Sequence, residues 1–333
     1  MRLLVTGGAG FIGSNFVRYV ARERDYEVLV YDKLTYAGRL DNIAYLVEEG
    51  RVGFVRGDIA DEESFKRVFA EYQPDAVVNF AAETHVDRSI NEPAPFIRTN
   101  VLGVFTVLET LRRHGGDALF FHVSTDEVYG DLYGSGTEAA EDHPLNPSSP
   151  YSASKASGDL LIKAYARTYG LKYLIARPCN NYGPYQHPEK LVPRTIIRLL
   201  HGKPAVIYGD GGQVRDWMHV EDTSRALLLL LEKAPRSQVY NVCRGNYATV
   251  KEIVERVVRY MGYDPSEKVV YGKRRPGEDM RYAMRCEKLR ELGWRPVYDL
   301  ETGLRATVDW YLANQWWWRP LVDEAYVLAD TPW

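Results

Sequence analysis

Cysteine is scarce in this chain. Its 333 residues hold three, Cys179, Cys243 and Cys286, odd in number and far apart. That usage excludes a disulfide-stapled secreted scaffold and reads as reduced thiols in a cytoplasmic protein. The seven histidines show no metal-ligand spacing with them, so no metal site is expected. Long apolar runs are missing too. A membrane span needs ~20 such residues, and the run at residues 226–231 falls far short of it. The first residues enter strand-like sequence at once, so no signal peptide is expected. Long basic runs are absent and the formal net charge is −3, which argues against a nucleic-acid partner held through its phosphates. No internal repeat or low-complexity tract interrupts the chain. What is left is one large domain or two coupled ones, with ample core.

What is present begins with glycine. Arg2-Leu3-Leu4-Val5-Thr6 is a short apolar run of strand type, Gly7-Gly8-Ala9-Gly10-Phe11-Ile12-Gly13 follows it, and residues 14–20 read as a helix. Strand, glycine loop and helix together make the context of a dinucleotide site. The glycines let backbone N–H groups approach a pyrophosphate, and the helix N-terminus offers it partial positive charge. A second strand, residues 26–31, ends at Asp32. A carboxylate there accepts hydrogen bonds from ribose hydroxyls and repels a 2′-phosphate, which favours NAD over NADP. Lys33 beside it is a mild counter-signal.

Further strand candidates follow at 53–58, 76–82, 119–123 and 173–177, alternating with helical segments. That alternation predicts an α/β fold, a Rossmann-like doubly wound parallel sheet covered on both faces. Beyond Pro178 the pattern breaks into Pro-, Gly- and Tyr-rich stretches with shorter helices such as 250–261. The expected division is an NAD-binding domain at 1–177, plus roughly 216–240, and a smaller mixed α/β substrate lobe at 178–215 and 241–333. The cleft should lie at the carboxyl ends of the strands. Trp316-Trp317-Trp318 cannot share one helix face, so some of the three should pack on the body.

Tyr151 and Lys155 stand one helical turn apart. A free phenol, with a pKa near 10, is a poor base at neutral pH, and a nearby ammonium favours the phenolate. By itself Tyr-x-x-x-Lys is a weak signal. Behind a dinucleotide loop it describes oxidation of an alcohol by hydride transfer. Such chemistry has no use for two further carboxylates, yet Ser124-Thr125-Asp126-Glu127-Val128-Tyr129-Gly130 supplies them. An acid and a base beside a newly made ketone point to a dehydration.

These motifs carry a resemblance to the nucleotide-sugar epimerases and dehydratases of the extended short-chain dehydrogenase/reductase family. It runs from Met1 nearly to the C-terminus, through residues 6–13, 32–38, 81–89, 124–130, 149–155, 180–185, 187–191, 215–217 and 275–277. The Thr125-Asp126-Glu127 triplet is its specific part, because related epimerases usually carry small residues at the last two positions. The resemblance implies NAD as cofactor and a nucleotide-diphosphate sugar, dTDP-glucose foremost, as substrate. Tyr151, helped by Lys155 and Thr125, would take the proton of the sugar 4-hydroxyl as hydride leaves C4 for NAD. Glu127 would remove the C5 proton, Asp126 would protonate the departing 6-hydroxyl, and hydride would return to C6. The product is a 4-keto-6-deoxy sugar for deoxysugar synthesis of the rhamnose type. The same resemblance implies cofactor contacts from Gly7, Gly10, Phe11, Ile12, Gly13, Asp32, Lys33, Leu34, Thr35, Asp58, Ile59, Ala81, Ala82, Thr99, Tyr151, Lys155 and Asn181. On the substrate side it implies Thr84, Thr125, Asn180, Lys190, Leu191, Val206, Ile207, Tyr208, Arg215, Asn241 and Arg275. Paired helices around Thr99–Arg113, with Val101, Phe105, Leu108 and Leu111 at helical spacing, and around Tyr151–Tyr169 imply a homodimer. One departure stands out: the family usually has His where this chain has Glu278. An epimerase, a decarboxylase, a GDP-mannose-type dehydratase and a non-catalytic NAD sensor are the alternatives, and the sensor would need no acid and base beside an intact Tyr-x-x-x-Lys.

Overall fold

Twelve strands are found among the described residues of the computed structural model, which covers 1–274, 277–323 and 327–329. They are β1 (Arg2–Thr6), β2 (Glu27–Asp32), β3 (Gly53–Arg56), β4 (Ala76–Asn79), β5 (Leu119–Val123), β6 (Tyr173–Pro178), β7 (Asn180–Tyr182), β8 (Ala205–Tyr208), β9 (Val214–His219), β10 (Gln238–Val242), β11 (Tyr247–Thr249) and β12 (Val269–Gly272). Seven form one sheet in the order β10-β6-β5-β4-β1-β2-β3, every pair parallel. The central strands β4 and β5 are buried along their whole length, as a parallel sheet covered on both faces requires. The seventh strand, β10, is invisible to the alternation. It returns to the sheet only after β7, β8 and β9 have been built elsewhere, and it pairs Gln238 with Leu174. The strands expected at 53–58 and 76–82 stop earlier, at Arg56 and Asn79, where the chain leaves the sheet at its carboxyl end.

The strand order reverses between β1 and β4, which opens a crevice at their carboxyl ends. Beside it lie two smaller sheets, β11-β9-β7 and β12-β8. A second hydrophobic core, including Ile196, Ile253, Leu304 and Trp317, stands behind them. The tryptophan run divides as the helix rule demands. Trp316 is exposed, whereas Trp317 and Trp318 are buried. Trp317 Nε1 donates to Asn42 Oδ1 at 2.8 Å and Trp318 Nε1 to the Tyr311 carbonyl at 2.8 Å. Trp317 thereby fastens the end of the chain to the loop after β2.

Two expectations need correction. Cys243 and Cys286 are not free thiols: they are joined as a disulfide with Cα atoms 5.9 Å apart, and only Cys179 is unpaired. The 43 residues between them hide the contact. They meet because Asn241 Nδ2 holds the Arg285 carbonyl at 3.0 Å across the end of β10. On the helix Val104–His114, Leu108 and Leu111 were expected to face a partner with Val101 and Phe105, but both are buried in the core. Exposed apolar side chains on the helical stretches 97–114 and 150–169 include Ile97, Leu102, Phe105, Leu160 and Tyr169. No described helix is long and apolar enough to cross a membrane.

Candidate active site

The glycine loop builds the first half of the site. Gly7 has φ 71°, and a Cβ on it would stand 2.3 Å from the Ala81 amide nitrogen. One on Gly13 would stand 2.3 Å from the Gly7 carbonyl. Only glycine permits this approach of loop, helix and β4. The helix Phe11–Glu23 begins at Gly10 with no side-chain cap, so its first amides remain for an anion. A cavity of about 200 Å³ follows, lined by Gly7, Gly10, Phe11, Ile12, Gly13, Asp32, Lys33, Thr35, Asp58, Ile59, Ala81, Ala82, Thr99, Tyr151 and Lys155. Asp32 closes its far end, its carboxylate accepting from the Ala9 and Leu34 amides at 2.9 and 2.8 Å. Leu34 contributes that amide rather than a side chain. Lys33 is drawn to Asp58, Nζ to Oδ2 at 3.0 Å. The cradle, the anion-seeking helix end and the carboxylate at the ribose position together suit a dinucleotide without a 2′-phosphate.

The helix that carries Tyr151 and Lys155, Pro150–Tyr169, starts from a reciprocal capping box between Ser149 and Ser152 with Pro150 at its first position. That start fixes where Tyr151 points. Ser154 Oγ accepts from Asn100 Nδ2 at 2.9 Å, and Asn100 also clamps both backbone groups of Glu83. Asn100 lies in a π-helical turn, Ile97–Gly103, an irregularity common at functional sites. Opposite, β5 ends in the short turn Asp126–Tyr129, where Thr125 Oγ1 accepts the Glu127 amide at 3.3 Å. This turn delivers Thr125, Asp126 and Glu127 to Tyr151.

Burial sets the protonation states. Asp126 is pushed up to about 8, first by burial and then by Glu127 beside it, with Arg215 opposing. It is therefore a carboxylic acid at neutral pH. Tyr151 lies well above the ordinary phenol range, again by burial and then by Glu127, while the hydroxyls of Thr125 and Thr84 pull the other way. Lys155 is lowered to about 8 by burial, and its Nζ donates to the Val123 carbonyl at 2.7 Å. In the free protein, then, burial outweighs any pull of Lys155 on the phenol.

Beyond Tyr151 opens a second cavity of about 690 Å³. Glu127, Asn180, Asn181, Lys190, Leu191, Val206, Tyr208, Arg215 and Glu278 line it. Asn180 Oδ1 is buried there with no hydrogen-bond partner, an arrangement that invites a ligand donor. Arg215 lies over the Tyr282 ring at 4.0 Å and donates to the Asp279 carbonyl at 2.6 Å. Its neighbour Asp216 turns the other way along β9 and holds the Arg244, Gly245 and Asn246 amides. Gln213 Nε2 donates to Glu278 Oε2 at 2.6 Å.

Several expected site residues are not brought to the expected place. Ile207 alternates with Val206 and Tyr208 and points into a small apolar core behind them. Asn241 is fully buried, accepting from Tyr129 and donating to the Ala139 and Arg285 carbonyls. Asn181 faces the larger cavity rather than the dinucleotide crevice, and its amide is held by Thr223 and the Cys179 carbonyl. Thr84 lines the dinucleotide crevice. Arg275 lies outside the described residues. Sequence reasoning also missed a group that crosses the cleft. Arg88 stacks over Tyr36 at 3.6 Å and pairs with Glu189 at 3.1 Å. The runs 32–38, 81–89 and 187–191 contain these residues, but nothing in the linear order pairs them.

A dinucleotide crevice that opens into a larger polar pocket, with tyrosine, lysine, a buried acid and a second carboxylate at the junction, defines a short-chain dehydrogenase/reductase of the extended type. The chain belongs to the GDP-mannose 4,6-dehydratase family, whose profile matches residues 4–307. It is 44% identical to a dTDP-glucose 4,6-dehydratase of Neisseria meningitidis, over 98% of this chain and 98% of that one. The crystal structure of a Streptomyces venezuelae dTDP-glucose 4,6-dehydratase, with NAD and a second ligand bound, superposes with a TM-score of 0.91 at 45% identity, covering 96% of this chain and all of that one. A Thermus thermophilus UDP-glucose 4-epimerase in complex with NAD shares the fold at lower identity, 36%, with a TM-score of 0.86 over 94% of this chain and all of that one.

Proposed function

We infer that the protein is a NAD-dependent hydro-lyase that converts dTDP-glucose to its 4-keto-6-deoxy product, for deoxysugar synthesis of the rhamnose type. The observation that carries this reading is Asp126, buried and still protonated up to about 8, beside Glu127 and Tyr151. NAD, held between the glycine loop and Asp32, supplies an acceptor that takes a hydride and can give it back. The rest falls to the chain. Tyr151, in contact with Thr125, takes the proton of the sugar 4-hydroxyl. The ketone at C4 acidifies the C5 hydrogen, and Glu127 removes it. Asp126 gives its proton to the departing 6-hydroxyl, and water is lost; return of the hydride to C6 and of the proton from Glu127 to C5 would complete the 4-keto-6-deoxy product. Lys190, Asn180 and Arg215 hold the diphosphate side of the substrate, Arg215 suited by its forked donors. Glu278 lies on that side as well, where the family usually has a cation-forming His. The test is the product: purified protein given dTDP-glucose should release the 4-keto-6-deoxy sugar without consuming NAD. A C4 epimer instead would overturn the assignment.

Two further properties go with this reading. The Asp32 carboxylate should make NAD bind at least roughly tenfold tighter than NADP, about 1.4 kcal/mol, and Asp32→Ala should narrow that gap. Equal affinity of the unaltered protein in a titration would mean that the ribose pocket is governed otherwise. The chain is also a homodimer, located in the cytoplasm where NAD and nucleotide sugars are at hand. Ile97, Leu102, Phe105 and Leu160 form the exposed apolar surface of the two helices that flank the site, and an isologous contact is the commonest way to cover one. Sedimentation at micromolar concentration should give twice the chain mass; a monomer would sink this assignment.

A further inference from the structure

The helix bearing Tyr151 and Lys155 repeats their spacing once more, at Asp159. Positions 151, 155 and 159 fall one turn apart on one face, with roughly 5–6 Å between neighbouring Cβ atoms. Lys155 and Asp159 are 3% and 0% exposed. Arg177 Nε donates to Asp159 Oδ2 at 2.9 Å, while Oδ1 is buried with no hydrogen-bond partner. Arg177 is itself fixed: one arm donates to the Tyr129 hydroxyl at 2.7 Å and to the Glu141 carbonyl at 3.3 Å. The interior beneath the site thus holds Lys155 and Arg177 with one carboxylate, Asp159, paired to Arg177 and one helical turn from Lys155. A buried ammonium without a counter-charge gives up its proton.

We propose that Asp159 is a positioning residue for the chemistry at Tyr151: aimed by Arg177, its carboxylate keeps Lys155 charged, and the charged lysine keeps the phenol within reach of ionisation. The proposal rests on Tyr151 acting as the base described above. Other groups around this helix do not substitute for Asp159. His122 on β5 stands 3.9 Å from its free oxygen, but burial, then Lys155 and Arg177, hold the imidazole well below its ordinary range, so it is neutral. Lys163, a turn further on, is a cation. Asp126 and Glu127 act on Tyr151. The charge that raises Lys155 against its burial is Asp159.

The experiment compares the NAD-bound protein with Asp159→Asn in two readouts. One is the pH at which the Tyr151 phenolate appears, from ultraviolet difference titration against Tyr151→Phe. The other is the pH profile of kcat/KM. Both should move up by about one pH unit, the order expected for losing a neighbouring opposite charge. The rate at a fixed lower pH should then fall about tenfold and recover as the pH is raised. Asp159→Glu should restore the original profile. Should the single variant fail to fold with Arg177 unpaired, Asp159→Asn combined with Arg177→Gln removes both charges, and a smaller upward shift is expected because a cation near Lys155 is lost as well. An unmoved phenolate titration with a uniform rate loss at every pH would overturn the proposal and leave Asp159 a purely structural residue. The phenolate titration needs no turnover, so it stands even if the substrate differs; failure of the dehydratase reading shows separately, as missing product from the unaltered protein.

Discussion

Substrate deuterated at C4 should give product deuterated at C6. One crevice and one adjoining pocket hold cofactor and sugar together, so the hydride lost in oxidation returns to the same molecule. No net reduced cofactor should accumulate, and turnover should not depend on added NAD once the protein is loaded. Glu127→Gln keeps the size of the side chain but cannot accept the C5 proton. Product formation should fall by about 10²–10⁴-fold, the usual worth of a positioned proton transfer. Solvent exchange at C5 should be lost while oxidation at C4 persists, leaving a bound 4-keto sugar and no released product. Tyr151→Phe should stop earlier and show neither. Residues that act as a unit are not additive, so the informative quantity is the pattern of stalled states. Deuterium found back at C4 with inverted configuration would make the protein an epimerase and remove the role given to Glu127.

Loss of the Asp126 proton should be nearly as costly. Asp126→Asn matches its shape and cannot donate to the leaving hydroxyl, so turnover should fall by about 10²–10⁴-fold. A substrate carrying fluoride at C6, which leaves without protonation, should recover most of that loss. With the carboxyl held up to about 8, the acid form is present through neutral pH and disappears above it. The elimination should therefore slow tenfold per unit once the pH passes about 8. Stability should follow the same proton. The ordinary value of this carboxyl is 3.8 and the folded value is raised, so between the two the folded chain keeps a proton that the unfolded chain has lost. The stability this proton contributes is fully present at the acid end and is lost as the pH rises through that window. No recovery with the fluoro substrate, together with a flat rate above pH 8, would remove Asp126 as the acid.

The linear order already determined much of this protein. Period and punctuation are local, so the glycine loop, the strand ending at Asp32, the parallel sheet and the Tyr151–Lys155 spacing could all be read directly. The neighbouring carboxylates Asp126 and Glu127 were equally legible, and with them the expectation of an elimination. Which of the two is the acid came from the family resemblance alone, because spacing carries no measure of burial. Asp126 is raised to about 8 by its desolvation, a property of everything packed around it. Strand alternation sent Val206 and Tyr208 to the pocket and Ile207 away, although the sequence motif treats the three alike. Asn241 looked like a substrate contact and proved to be part of the polar chain from Arg177 through Tyr129. The Arg88–Glu189 pair, the Cys243–Cys286 bond and the return of β10 to the sheet join residues distant in sequence. Contacts of that kind carry no periodic signal; they exist only once the chain has closed, and so the tertiary structure alone decided them.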